Sequence, residues 1–418
     1  MPSGDFDASV ERFDRLIDWE TSLTPREAFL DAVEGGEGLR VKYGADLTAP
    51  TLHIGHAVNL RVMREMQDQG HTVVFLLGGF TTQIGDPTDS LQARDAPDPE
   101  IVERAKTQFI DQVGTVLKMD DPDLIEIRDN AEWWGGPDTP GTITPSDLFG
   151  ILHGVTLNQL QSRDMFRSRI AAGEPVRMSE FLYPVIQGYD SVMIESDVTV
   201  VGSDQLFNEN LGRELQRRAG QAEQMIVCTK ITPGLDGGPK QSKSKGNYVG
   251  IADPPEVKYD RLMHLRDDLV GTWMGVYTSF GNDEIADLED RFGDDPLDLK
   301  KHLAHNVTAM FHGNEAADQA AEAFDRKIAS KLPIDTDNIL VEPGSTLRGV
   351  LMHELGYKAG NIRQFVDTGA LVKVTEPLPD GSYNTLPITA DDINAPIEGD
   401  TYIRIGKHRF ARFTPGQA

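Results

Sequence analysis

His53-Ile54-Gly55-His56 places two imidazoles around a glycine. At the start of a helix, free backbone N–H groups and the positive dipole end attract phosphate, and imidazoles add donors. The glycine lets a ligand approach the backbone closely. Lys240-Gln241-Ser242-Lys243-Ser244-Lys245 carries three lysines in six residues of a Gly- and Ser-rich stretch. Such a cationic loop can close over a polyphosphate. Tyr183, Gln187 and Asp190 recur at helical intervals and share one face, where a phenol, an amide and a carboxylate suit an amino-acid ammonium and a distal polar group. Gly202-Ser203-Asp204-Gln205 offers a carboxylate for ribose hydroxyls, and Gly78–Pro87 brings Asp86 to the same region. Each segment also has an ordinary reading: capping histidines, a solvated basic loop, a polar helix face, an N-cap, a tight turn. Together, in order around one sheet, they describe an ATP site.

Apolar spacing predicts a helical arm over 1–35, ended by Gly35-Gly36-Glu37-Gly38. A strand over 39–45, a helix over about 55–69 and a strand over 71–78 follow. The second strand, His71-Thr-Val-Val-Phe-Leu-Leu-Gly78, is continuously apolar, like a strand covered on both faces. Strand, helix, strand is a βαβ unit and predicts a doubly wound, parallel α/β domain. The pattern continues with a helix over 97–118, a strand over 124–128, a helical pair over 145–172 and a helix over 178–189. A strand over 198–201, a helix over about 204–217 and a strand over 225–229 complete it. Residues 255–330 read as all-helical, 331–345 as a linker with Pro333 and Pro343, and 346–418 as one or two helices followed by short strands.

The chain has 418 residues, which predicts two or three domains. Hydrophobic residues at 39% and charged residues at 26% fit a soluble globular protein, and no apolar run reaches a membrane span. The acidic N-terminal segment lacks the basic and apolar regions of a signal peptide, so a cytoplasmic location is expected. One cysteine, Cys228, excludes a disulfide framework and a multi-cysteine zinc site. The net charge of −27 argues against a general nucleic-acid coat. The segment from Tyr357 onward is neutral, so a small region with locally placed cations is available to a polyanion.

On these motifs the chain resembles the class I aminoacyl-tRNA synthetases, specifically the bacterial-type tyrosyl-tRNA synthetases. His53–His56 is that family's HIGH motif, and Lys240–Ser244 is similar to KMSKS with Gln241 where Met is usual. Tyr183, Gln187 and Asp190 resemble the family's tyrosine-reading helix, and Val201–Asn208 its GG(T/S)DQ segment. The end of the chain resembles an S4-type RNA-binding domain. The resemblance covers nearly the whole chain after about residue 25 and implies, behind the helical arm over 1–35, a Rossmann-like catalytic domain over 36–254. Within that domain, a helical insertion at about 145–182 would make a homodimer contact. A helical tRNA-binding domain over 255–330, a linker over 331–345 and an S4-like α+β domain over 346–418 would follow.

By position, the resemblance implies that Asp86, Tyr183 and Gln187 hold the tyrosine ammonium, Asp190 accepts the phenol hydroxyl and Gln205 lies by the tyrosine carboxylate. Thr48, His53, Gly55 and His56 would bind ATP phosphates, Gly202 and Asp204 the ribose, and Lys240 and Lys243 the developing pyrophosphate. Arg363, Lys373, Lys407 and Arg409 would contact RNA. The implied partners are L-tyrosine, ATP with Mg²⁺, and tRNA(Tyr). The departures from the pattern are specific. Lys42, with Tyr43 beside it, stands where many relatives have a tyrosine, which leaves the second phenol contact open. Leu47 replaces a usual proline, and Asp89, Ser90 and Gln92 occupy a loop that is often basic. A tryptophanyl enzyme, a small-molecule adenylyltransferase and a non-catalytic synthetase-derived RNA-binding protein are the alternatives.

Overall fold

A computed structural model describes the chain apart from residues 1–5, 36–37, 48–50, 88–98, 137–139, 243–244, 294, 330–335, 343, 356, 375–384, 398, 400, 407–408 and 416–418. The chain divides into two compact units, Met1–Ala317 and Asp318–Ala418.

In the first unit α1 (Phe6–Leu16) runs directly into β1 (Ile17–Asp18), and α2 (Arg26–Glu34) follows. Then come β2 (Arg40–Ala45), α3 (Ile54–Asp68), β3 (Thr72–Leu77), α4 (Thr81–Ile84), α5 (Pro99–Val113), β4 (Ile125–Asp129) and α6 (Ala131–Trp134). The insertion holds α7 (Pro145–Leu152), α8 (Leu157–Gln161) and α9 (Asp164–Ala171). It leads into α10 (Met178–Met193), β5 (Val198–Val201), α11 (Leu206–Arg218) and β6 (Met225–Thr229). The expected helical pair over 145–172 is thus three helices. Thr144 and Thr156 each accept an N-cap hydrogen bond and so start separate helices.

The sheet order is β1-β6-β5-β2-β3-β4. All neighbours run parallel except β1, which pairs antiparallel with β6 through Ile17 and Asp18. The helical N-terminal segment thus also supplies the edge strand of this sheet, and the Arg12 guanidinium pins α1 to Glu65 of α3 at 2.6 Å. The apolar run of β3 is buried from Val73 to Leu77, because helices cover both faces of a parallel sheet. Strands β2, β3 and β4 step to one side, whereas β5 lies beside β2 and β6 continues the other way. The order reverses between β2 and β5, and a crevice opens at the carboxyl ends of those strands.

The helices α12 (Pro255–Met263), α13 (Val270–Tyr277), α14 (Asn282–Phe292) and α15 (Pro296–His312) belong to this same unit. The boundary expected at 254/255 is bridged by side-chain hydrogen bonds. Arg61 of α3 donates to the carbonyls of Val276 and Thr278, and Lys258 of α12 donates to those of Gly250 and Ile251.

The division between units falls within α16 (Asn314–Ala329). The second unit continues with β7 (Thr336–Val341), α17 (Leu347–His353), α18 (Ala359–Asp367), β8 (Leu371–Val374), β9 (Thr385–Pro387), β10 (Thr401–Ile405) and β11 (Arg409–Pro415). Its sheet has the order β7-β11-β10-β8-β9. The stretch 331–345, read as a linker, contains β7, which pairs in parallel with β11. Proline flanks marked a loop, but the Ile-Leu-Val end of β7 has a strand to pair with only in the folded unit. Leu347, Leu351, Ile362, Leu371, Ile403 and Phe413 form the core of this unit. Among the described residues no helix is long and apolar enough to cross a membrane.

Candidate active site

His53 is the N-cap of α3, with φ −110° and ψ 166°. Its Nδ1 accepts the Gly55 N–H at 3.1 Å, while His56 Nδ1 accepts the His53 N–H at 3.2 Å. The two rings lie 3.9 Å apart. A Cβ on Gly55 would come within 2.8 Å of the His53 ring, so glycine is required there by the histidine that caps it. The histidines therefore do cap the helix, and they also face the crevice. The segment after the lysine-rich loop is stitched to the same helix start: Ile54 N–H donates to Val249 and Ile251 N–H to Leu52, both at 2.9 Å. This brings Lys240, Gln241 and Ser242 to the hollow that His53 lines.

On the opposite wall α10 presents Tyr183, Gln187 and Asp190. The Tyr183 hydroxyl donates to Asp46 Oδ2 at 2.8 Å, and burial with the charges of Asp46 and Asp86 pushes the phenol well above its ordinary pKa. Gln187 Nε2 donates to Glu209 Oε1 at 3.0 Å and to Gln205 Oε1 at 3.2 Å, and Gln205 Nε2 donates to Asp86 Oδ2 at 2.8 Å. Glu209 also pairs with Lys42, whose Nζ lies 2.6 Å from Oε2 and 2.6 Å from Ser191 Oγ. Lys42 is thus neutralised within the wall. Tyr43, one residue on, points to the other face of β2 and packs its ring 5.8 Å from Phe75.

Asp190 is buried in the same wall. Trp133 Nε1 and Trp134 Nε1 each donate to its Oδ1 at 2.9 Å, and Asn130 Nδ2 donates to Oδ2 at 3.1 Å. Burial raises the carboxyl to about 7, against the pull of these three N–H donors and of the Lys42 charge.

These walls enclose one cavity of about 680 Å³. His53, Gly55, His56 and Lys240 line one side, and Gly202 and Asp204 lie at the carboxyl end of β5. Asp86, Tyr183, Gln187, Asp190 and Gln205 line the other side. Thr48, Lys243 and Lys407 lie outside the described residues. Arg363 on α18 and Lys373 on β8 are exposed in the second unit, and the backbone of Arg409 pairs with Ile405.

Sequence reasoning missed Asp46, Asn130, Trp133, Trp134 and Glu209. Asp46 follows β2, and the Asn130–Trp134 run follows β4. Both stand at carboxyl ends of parallel strands, which was the signal available for them. Glu209 had no local signal, because only the fold brings it to Lys42.

The family described as tRNA synthetases class I (W and Y) matches residues 34–328. A tyrosine–tRNA ligase of Thermotoga maritima is 36% identical over 402 residues, covering 94% of this chain and 95% of that protein. A tyrosine–tRNA ligase of Geobacter metallireducens is 37% identical, covering 90% of this chain and 91% of that protein. Among solved structures, a C-terminally truncated mitochondrial tyrosyl-tRNA synthetase of Aspergillus nidulans shares the fold, with a TM-score of 0.62 and 21% identity. It covers 76% of this chain and 93% of that chain. With a crevice at the sheet's reversal point and matches of this length on both levels, the chain belongs to the class I tRNA synthetases of the tyrosine and tryptophan group, within the tyrosine–tRNA ligase family.

Proposed function

We propose that the protein is a tyrosine–tRNA ligase, which activates L-tyrosine with ATP and passes the tyrosyl group to the 3′-terminal adenosine of tRNA(Tyr). The reading rests on one observation: a helix N-terminus with two histidines, together with Lys240, shares a single cavity with a buried carboxylate suited to a phenol. A carboxylate has roughly four acceptor positions. The two indoles and Asn130 occupy three on Asp190, and a position on Oδ2 is left for a hydroxyl donor. Phenylalanine would leave that position unpaired, the kind of loss that discriminates by about 10⁴–10⁵.

In the first step the tyrosine carboxylate attacks the α-phosphorus, the bond to the bridging oxygen breaks, and pyrophosphate leaves. No side-chain nucleophile takes part, so the protein contributes positioning and charge stabilisation. Asp86, Tyr183 and Gln187 would hold the ammonium, Gln205 would lie by the carboxylate, and Asp190 would accept the phenol hydroxyl. Thr48, His53 and His56, with the start of α3, would bind phosphates, Gly202 would give room beside Asp204 on the ribose, and Lys240 and Lys243 would meet the charge on pyrophosphate. Mg²⁺ would arrive with ATP. In the second step a terminal ribose hydroxyl attacks the tyrosyl carbonyl and AMP leaves.

The helices over 255–330 and an S4-like domain over 346–418 would bind tRNA, the latter through Arg363, Lys373, Lys407 and Arg409. The insertion exposes Phe149, Leu157, Ile170 and Met178, an apolar set suited to a homodimer contact. The reaction would run in the cytoplasm, with its tRNA.

ATP–pyrophosphate exchange with each amino acid in turn is the test. Tyrosine alone should support it. Exchange with tryptophan would favour a tryptophanyl enzyme, and no exchange at all would favour a non-catalytic RNA-binding protein. Lys243→Ala should slow adenylate formation with tyrosine affinity nearly unchanged.

A further inference from the structure

Gln241 stands where the resembling motif has methionine, and its side chain is buried and hydrogen-bonded through both amide atoms. Its Nε2 donates to the Tyr277 hydroxyl at 2.8 Å and to Thr232 Oγ1 at 3.4 Å, and the two hydroxyls bond each other at 2.5 Å. Its Oε1 accepts the Val249 N–H at 3.4 Å. The amide thus joins three places: the segment before the lysine loop, the segment after it, and α13. Tyr277 is itself fixed from the far side. Arg61 of α3 donates to the carbonyls of Val276 and Thr278 on either side of it, at 2.6 and 2.7 Å. Gln241 Nε2 also lies 3.6 Å from where a Cβ on Gly55 would stand, so it abuts the helix start that His53 caps. Its neighbours Lys240 and Ser242 line the cavity.

A methionine here would be held by flexible, non-directional contacts. An amide with two donors and one acceptor engaged has one register. We infer that Gln241 is a positioning residue: its tie to Tyr277, Thr232 and Val249 sets Lys240 against the start of α3, where the phosphates of ATP would lie. This inference rests on the ligase reading above and concerns the activation step.

The test is ATP–pyrophosphate exchange by the full chain carrying Gln241→Met, Tyr277→Phe, or both. Gln241→Met is expected to lower kcat about five- to thirtyfold and raise KM for ATP, the loss expected when buried hydrogen bonds go unmade. KM for tyrosine should stay within about twofold, a split that general loosening of the fold would not produce. Tyr277→Phe should give part of the same effect, and the double variant should be no slower than Gln241→Met, because both changes cut one tie. Parent-like kinetics in Gln241→Met, equal damage to the ATP and tyrosine parameters, or effects that multiply would each overturn the inference. Should Gln241→Met fail to fold, Tyr277→Phe decides, since it deletes one oxygen: unchanged kcat and ATP KM there overturn the inference, and the ATP-selective loss upholds it. A parent chain without tyrosine-dependent exchange would instead bring down the ligase reading and this inference with it.

Discussion

Lys42 and Glu209 form an ion pair of 2.6 Å in which each side chain is 2% exposed. Removing one partner of a buried pair strands the other charge, at a cost of about 3 kcal/mol. Lys42→Met should therefore lower the stability of the first unit by that amount in chemical denaturation. Adding Glu209→Gln should recover most of the loss. A single variant as stable as the parent would mean that Glu209 finds water or another donor.

The Asp190 carboxyl, raised by burial to about 7, predicts a pH dependence of ligand binding. As pH falls through about 7 the carboxylate gains a proton and becomes a weaker acceptor, so tyrosine affinity should fall. Equilibrium dialysis on both sides of neutrality reads this, and Asp190→Asn should remove the pH dependence together with most of the affinity. For stability, a carboxyl whose native pKa lies above its unfolded value of 3.8 favours the fold below that value. That contribution is lost as pH rises through about 7. Tyrosine binding that is flat across this range would contradict the assignment of Asp190.

Trp134 duplicates the indole donation of Trp133 on the same oxygen. Trp134→Phe keeps an aromatic ring and deletes one N–H, so Asp190 should be held less firmly. The expected outcome is a fall of about tenfold in the ratio of kcat/KM for tyrosine over phenylalanine. An unchanged ratio would assign Trp134 to packing alone.

Gly55→Ala places a methyl group against the His53 ring, 2.8 Å from Nδ1 and Cε1. The ring must shift, the cap opens, and the phosphate side of the cavity is displaced. Misplacement by about an ångström costs on the order of a hundredfold in rate. Exchange should drop by that factor with tyrosine affinity preserved; equal loss of tyrosine binding would show damage to the whole site instead.

The net charge of −27 repels itself, and α14 alone carries Asp283, Glu284, Asp287, Glu289 and Asp290. Salt screens such repulsion. The thermal midpoint should therefore rise as sodium chloride is added, and a falling midpoint would show that ion pairs such as Arg12–Glu65 outweigh the repulsion.

The residue sequence by itself determined what is local. The continuous apolar run of β3 predicted a buried parallel strand, and β5 and β6 stand at the residues that spacing indicated. The histidine, lysine and α10 motifs were legible because each lies within one turn, loop or helix face. Tertiary structure decided the rest. Lys42 and Glu209 are 167 positions apart, and the indole and amide that hold Asp190 come from 57 and 60 positions away. Nothing in local spacing joins them, since their meeting depends on β5 inserting beside β2. The same holds for the two-residue strand β1 and for β7: a strand that short, or one flanked by prolines, exists only because a partner supplies its hydrogen bonds. Gln241 is the sharpest case. In the sequence it is a departure from a motif, and only the fold shows the hydroxyls and the peptide N–H that its amide engages.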